Sequence, residues 1–296
     1  MRSFNLKGVI CAMVTPMDRH GDVDFAATAE LIRFLIGHGV DGLFIGGTTG
    51  EGPLLSLDER MRLAECAIET AEGKAVTIVH TGCQNTRDAV QLTRHAAAIG
   101  VDATAAITPY FYTYSDEEIA THYLSLAQVA PDVPLLIYCF PGSAKNDVTP
   151  KVFARVCEEA PNIVGIKYSG NCFVRVVDYI EAGGENGFVY TGEDRFLLAS
   201  LVMGGSGFVS GCAAVFPEPY QRLYRTFLDG RLEEARTLQE LVRYLAAAVD
   251  YGQVAHLKAA LDLRGLHGGH VRAPLRPLSQ SERRQLGLRL RELDLL

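Results

Sequence analysis

Lys167 closes the apolar run Ile163-Val164-Gly165-Ile166, and Tyr138 ends the run Pro134-Leu135-Leu136-Ile137. A lysine that points inward from such a run loses water, and burial disfavours its charged form. A fall of about 3 units from the usual 10.4 corresponds to about 4 kcal/mol. The resulting amine is a nucleophile near neutral pH. It condenses with a ketone to an iminium, whose positive nitrogen withdraws electrons and acidifies the adjacent carbon, as in a class I aldolase. A phenol at the end of a neighbouring strand can relay a proton to or from the nascent alkoxide. An arbitrary lysine at a strand end more often snorkels to solvent; the company of Tyr138 reverses that preference. A third feature is Gly46-Gly47-Thr48-Thr49-Gly50-Glu51. Its successive backbone N–H groups and two hydroxyls can hold a carboxylate without a cationic side chain, although most glycine-rich turns only reverse the chain. Glu51 reads as a cap or brace for that turn.

These groups need a scaffold that brings strand ends together. Short apolar runs recur at Gly8 to Val14, Gly42 to Ile45, Ala75 to His80, Ala103 to Ile107, Pro134 to Cys139, Ile163 to Lys167, Phe188 to Thr191 and Gly207 to Ser210. Segments of helical periodicity separate them, such as Leu31, Phe34 and Leu35. Continuous apolar strands suit a parallel sheet covered by helices. Gly39-Val40-Asp41 and Gly100-Val101-Asp102 echo each other before the second and fourth strands, each glycine placed to end a helix in the left-handed conformation. No GxGxxG follows the first strand, so eight βα units closing on themselves are more economical than an open sheet. The expected fold class is α/β, a (β/α)₈ TIM barrel over residues 1–228 with a C-terminal helical segment over 229–296. Candidate helices near Pro219 to Leu228, Leu232 to Val249, Gln253 to Leu263 and Ser281 to Leu293 fill the last part, and HGGHVRAPLRP reads as a loop. Barrel active sites sit at the C-terminal strand ends. Gly46–Glu51, Thr108-Pro109-Tyr110-Phe111-Tyr112, Tyr138 and Lys167 all fall there.

A chain of 296 residues with net charge -7 and 48% hydrophobic residues folds around a large core and lacks the basic stripe that nucleic acid requires. Its seven cysteines lie apart, with no CxxC, so reduced thiols in a cytoplasmic protein are the expectation. No signal peptide and no membrane span is read, since no apolar window reaches about 18 residues. His267 and His270 lie in the loop away from the rim, and no metal site is expected.

Taken together, GTTGE, the TPY-aromatic segment, Tyr138 with Pro141, GIK, and Tyr190-Thr191-Gly192-Glu193-Asp194 resemble the dihydrodipicolinate synthase and N-acetylneuraminate lyase family over nearly the whole chain. The resemblance implies a homotetrameric barrel enzyme without metal or organic cofactor, its substrate held as a covalent lysine imine. It makes Lys167 the Schiff-base lysine, Tyr138 the proton relay and Thr49 a further catalytic residue. Thr48, Thr49 and Gly50 would bind the carboxylate of a 2-oxo acid, with Gly192, Val209 and Ser143 also lining the substrate site.

Three departures stand out. Ser143 occupies the slot of the synthase arginine that binds aspartate semialdehyde, and serine supplies no bidentate cationic fork; Lys145 nearby is only a point charge on a flexible stem. Phe111 stands where the synthase has a tyrosine that reaches a neighbouring subunit, so that either Tyr112 substitutes in the relay or the relay is shorter. Leu57 and Arg60 replace two histidines typical of lysine-regulated synthases, which speaks against that feedback. Gly50-Glu51-Gly52-Pro53-Leu54-Leu55-Ser56 is similar to the corresponding segment of 2-keto-3-deoxygluconate aldolases. Cys139 and GSAKND are further changes with no substrate assigned to them. The leading expectation is a pyruvate-dependent lyase or aldolase acting on a 2-oxo acid of the 2-keto-3-deoxy sugar acid type, with an aldehyde as the other partner. The alternatives are 4-hydroxy-tetrahydrodipicolinate synthase, a dehydratase or deaminase (a carbon–oxygen lyase in the first case) acting through the same imine and, from another class, a non-catalytic 2-oxo acid binding barrel.

Overall fold

The computed structural model describes residues 7–296. Eight parallel strands close into one barrel in the order in which they occur in the chain: β1 (Gly8–Ala12), β2 (Gly42–Ile45), β3 (Val76–His80), β4 (Ala103–Ile107), β5 (Leu135–Cys139), β6 (Ile163–Tyr168), β7 (Phe188–Thr191) and β8 (Gly207–Ser210). Between and after them run α1 (Phe25–Gly37), α2 (Leu57–Ala71), α3 (Thr86–Ala98), α4 (Asp116–Val129), the single turn α5 (Pro141–Ala144), α6 (Pro150–Glu159), α7 (Phe173–Gly183), α8 (Leu197–Val202) and α9 (Pro217–Leu228). The chain ends in α10 (Leu232–Ala248), α11 (Val254–Leu263) and α12 (Gln280–Glu292). The (β/α)₈ barrel with its C-terminal helices is the expected one.

Local chemistry sets the boundaries. Ser56 with Glu59, Ser115 with Glu118, and Ser279 with Glu282 form reciprocal capping boxes that start α2, α4 and α12. Gly39 and Gly100 take φ of +69° and +80° behind α1 and α3, a conformation that costs other residues more. The last barrel helix begins at Pro217, earlier than the periodicity suggests, because proline is tolerated at a first helical position.

Side chains alternate between two cores. Ile10, Phe44, Ile78, Ala105, Leu136, Tyr138 and Val209 fill the barrel interior, while Val9, Cys11, Leu43 and Ile45 face the helices. In β6 this alternation is reset by a register shift opposite Leu135 and Leu136. Ile163 and Ile166 both pack outward and Val164 inward. Lys167, paired with Tyr138 on one side and Tyr190 on the other, therefore points into the barrel. The C-terminal helices share the barrel's outer core: Leu238, Val242, Leu245, Leu257 and Leu290 cluster with Leu31 and Phe208. Each such buried leucine contributes about 1.5–3 kcal/mol. Among the described residues no helix is long and apolar enough to cross a membrane.

Candidate active site

A cavity of about 370 Å³ opens at the C-terminal strand ends, lined by Thr48, Thr49, Tyr138, Ser143, Lys167, Gly192 and Val209 together with residues that the sequence did not single out. Seven of the expected site residues thus meet around one space. Gly50 is not among the lining residues. Its carbonyl accepts a 2.7 Å bond from Thr15, and a Cβ there would sit 3.1 Å from the Met13 carbonyl, so it packs beneath the turn. Tyr112 does not line this chain's cavity either; it stands 63% exposed beside Phe111.

Lys167 is 4% exposed. Its Nζ lies 4.0 Å from the centre of the Tyr138 ring and 4.4 Å from that of Phe44. Burial pushes its ammonium down to about 7, against the opposing pull of the Asp194 charge. The Tyr138 hydroxyl is 3.2 Å from Thr48 Oγ1, and burial raises this phenol. The site can therefore hold a neutral amine, and beside it a phenol that keeps its proton at neutral pH. Gly192 leaves room beside the lysine: a Cβ would stand 2.0 Å from Ser169 Oγ and 3.2 Å from Lys167 Cε.

The turn after β2 offers what its sequence suggests. Glu51 N donates to Thr48 O at 3.1 Å and Gly52 N to Gly47 O at 3.0 Å, closing the turn. Among the described residues the amides of Thr48 and Thr49 donate to no protein acceptor. Two free N–H groups with hydroxyls beside them suit a carboxylate. His80, which sequence reading passed over, secures the start of the turn. Its Nε2 accepts from Ile107 N, which leaves Nδ1 to donate to Gly46 O at 3.1 Å. Burial, followed by the Arg60 and Lys167 charges, holds this imidazole well below its usual range and hence neutral. Arg60 in turn donates to Gly82 O and His80 O, bracing the end of β3.

The opposite wall was harder to foresee. Glu193 and Asp194 follow β7; Glu193 is engaged by Arg195 at 2.7 and 2.9 Å, while burial raises the Asp194 carboxyl. Two acids directly after a strand end were the available signal. Tyr251, Gly252, Gln253 and Val254 arrive from the α10–α11 connection, and no local pattern announces them. Lys145 is exposed and does not line the cavity. Among the described residues Lys167 is the only basic side chain in the lining. Cys139 and the GSAKND segment have a structural role. Cys139 Sγ donates to Asp147, and Asn146 Nδ2 reaches Pro109 O and Tyr112 O at 2.8 and 2.7 Å, tying the Ser143 loop to the loop after β4. Among the described residues no group of three or more His, Cys, Asp or Glu is arranged to hold a metal.

The model of the dihydrodipicolinate synthetase family matches residues 5–293. A 4-hydroxy-tetrahydrodipicolinate synthase of Bacillus subtilis is 34% identical over 98% of this chain and 100% of its own. An N-acetylneuraminate lyase of Rhizobium meliloti is 33% identical over 94% of this chain and 92% of its own. Among solved structures, YagE, a prophage protein of E. coli K12 crystallised with pyruvate, superposes with a TM-score of 0.94 at 28% identity, covering 98% of this chain and 99% of that one. Enzymes of this family work through a lysine Schiff base and need no external cofactor. Sequence, fold and site agree that the chain belongs to the dihydrodipicolinate synthetase family, enzymes of the class I aldolase type.

Proposed function

We propose that the enzyme forms an imine between Lys167 and a pyruvate-type 2-oxo acid, and through it makes or breaks a carbon–carbon bond to an aldehyde. The observation that carries this reading is the buried Lys167 amine, its ammonium pushed down to about 7, with its Nζ against the Tyr138 ring. The neutral amine attacks the keto carbon while Tyr138 gives its proton to the alkoxide. The tyrosinate so formed takes a proton from the ammonium nitrogen and, with Thr48, passes it to the carbinolamine hydroxyl, which leaves as water to give the iminium and the tyrosinate. Loss of a proton from the methyl carbon gives an enamine, which adds to the aldehyde; cleavage is the reverse. The Thr48 and Thr49 amides hold the carboxylate, and Gly192 and Val209 leave room for the keto acid.

Attack requires the free base, so the pseudo-first-order rate of imine trapping should climb with pH and level off just above 7. A rate that still rises tenfold per unit beyond about pH 9 would mean an ordinary lysine.

Two readings of the aldehyde each have support. The name of the Bacillus subtilis relative favours aspartate semialdehyde and hence 4-hydroxy-tetrahydrodipicolinate synthase. The wall favours an uncharged hydroxyaldehyde, as released from a 2-keto-3-deoxy sugar acid: Ser143 stands there with Glu193 and Asp194, and Lys167 is its sole cation among the described residues. Turnover of both classes by the purified enzyme separates them. On the second reading, Ser143→Arg should raise kcat/KM for aspartate semialdehyde by about 10- to 100-fold, the usual worth of a charge-assisted bond. An already efficient wild-type reaction with that aldehyde would favour the synthase.

Assembly into a homotetramer belongs to the same proposal. Phe111, held at φ +83°, and Tyr112 are 69% and 63% exposed, and apolar rings presented on a fixed turn suit burial against a second copy. On this reading Tyr112 is the relay candidate offered to a neighbouring copy.

A further inference from the structure

Glu51 ends the Thr48–Thr49 turn with a left-handed backbone, φ +56°, and a side chain that is fully buried. Its Oε1 lies 2.5 Å from Nζ of Lys258 on α11, also buried, and Oε2 accepts from the backbone N–H of Arg272 at 2.7 Å. Lys258 directs a hydrogen bond to His270 O at 2.5 Å. The Arg272 guanidinium fastens the strap that joins α11 to α12, residues 264–279, to Glu59 at 2.6 and 2.8 Å and to the carbonyls of Leu54 and Gly21. The strap lies tight: a Cβ at Gly268 would come 2.1 Å from Lys258 O, and one at Gly269 would come 2.6 Å from Met17.

We propose that the C-terminal segment belongs to the substrate-binding machinery, with Lys258 and the strap at Arg272 acting as positioning residues that set the Thr48–Thr49 cradle through Glu51. This rests on the reading of that cradle as the 2-oxo acid site. The mechanical path is short. The Glu51 amide is bonded to Thr48 O at 3.1 Å, Thr15 holds Gly50 O directly before Glu51, and His80 on Gly46 O fixes the other end of the turn. Gly52 packs closely on the start of the turn, since a Cβ there would stand 2.0 Å from Gly46 O. Displacement of Glu51 therefore passes to the two amides. A buried ion pair is a poor way to gain stability, because well-packed apolar residues of similar volume often do as well. Its use here is geometric: it holds a non-glycine residue in the left-handed region at the edge of the site.

The test replaces both charges at once, Glu51→Ala with Lys258→Met, so that no buried charge is left unpaired. The folded double variant should show a KM for pyruvate raised about tenfold with kcat within about threefold, the pattern of lost uniform binding. At saturating pyruvate it should still trap the adduct at Lys167. A second measurement uses the wild-type enzyme alone. Coupling is reciprocal, so pyruvate should slow amide exchange at His270 to Arg272 as well as at Thr48 to Glu51. An unchanged KM in the folded double variant overturns the inference. So does protection confined to the turn. Failure of wild-type enzyme to trap pyruvate at Lys167 at all would instead overturn the imine reading, and this inference with it.

Discussion

Lys167→Met is expected to abolish turnover, lowering kcat/KM by about 10⁴-fold or more, while making the protein more stable at neutral pH. The activity loss follows because no other amine lines the cavity among the described residues, and removing the nucleophile from a concerted site forfeits most of its rate enhancement. The stability gain follows from linkage. Folded, the ammonium titrates near 7; unfolded, near 10.5. Between those values the unfolded chain binds the extra proton, so wild-type stability rises with pH across that window, and below it the burial penalty is present in full. The window corresponds to about 5 kcal/mol. After allowance for the lost ring contacts, about 2 kcal/mol should remain at pH 7, a rise in Tm of roughly 3 °C. Parallel melts of wild type and variant at several pH values check this: their difference should be largest below pH 7 and shrink as pH approaches 10. A variant less stable than wild type at pH 7 would mean that Lys167 is a structural cation with a partner.

Tyr138→Phe should separate chemistry from packing. The ring sits edge-on to Phe44 and His80, with centroids 5.9 Å away in both cases. Phenylalanine keeps those contacts and forfeits only the hydroxyl near Thr48. Stability should fall by no more than about 1.5 kcal/mol, the net worth of one hydrogen bond. The proton relay, however, disappears, and kcat should drop by about 10²- to 10⁴-fold with little change in KM. Steady-state kinetics beside a thermal melt gives both numbers. A kcat within a factor of about three of wild type would remove Tyr138 from the mechanism and shift the relay to Thr48 or to a residue from a neighbouring copy.

Most of the barrel and half of the site could be read from local sequence, for a physical reason. Apolar strand runs, capping serines and helix-ending glycines act within a few residues of themselves, and so does the desolvation of a lysine that ends an apolar run. What escaped depends on closure of the fold. The register shift in β6 that aims Lys167 inward arises from pairing with β5. Gly50 sits in the right motif yet turns under it because Thr15 and Met13, from another βα loop, pack against it. His80 carries no motif, and its role exists only because Ile107 and Gly46 approach its two nitrogens. Tyr251 and Gln253 reach the cavity from the helical segment that a reading by strands would set apart from the chemistry. Ser143 was legible as a missing cation, and the observed lining adds two carboxylates on the far wall. The charge balance of the wall, more than any single residue, is what the choice of aldehyde turns on.

The central claim is the covalent imine at Lys167. Incubating the folded enzyme with pyruvate and borohydride, then mapping the modified peptide by mass spectrometry, tests it directly. A single reduced pyruvate adduct on Lys167, absent without pyruvate, is the predicted result. An unmodified Lys167 in enzyme that is folded and saturated with pyruvate, or an adduct on a different lysine, would contradict it.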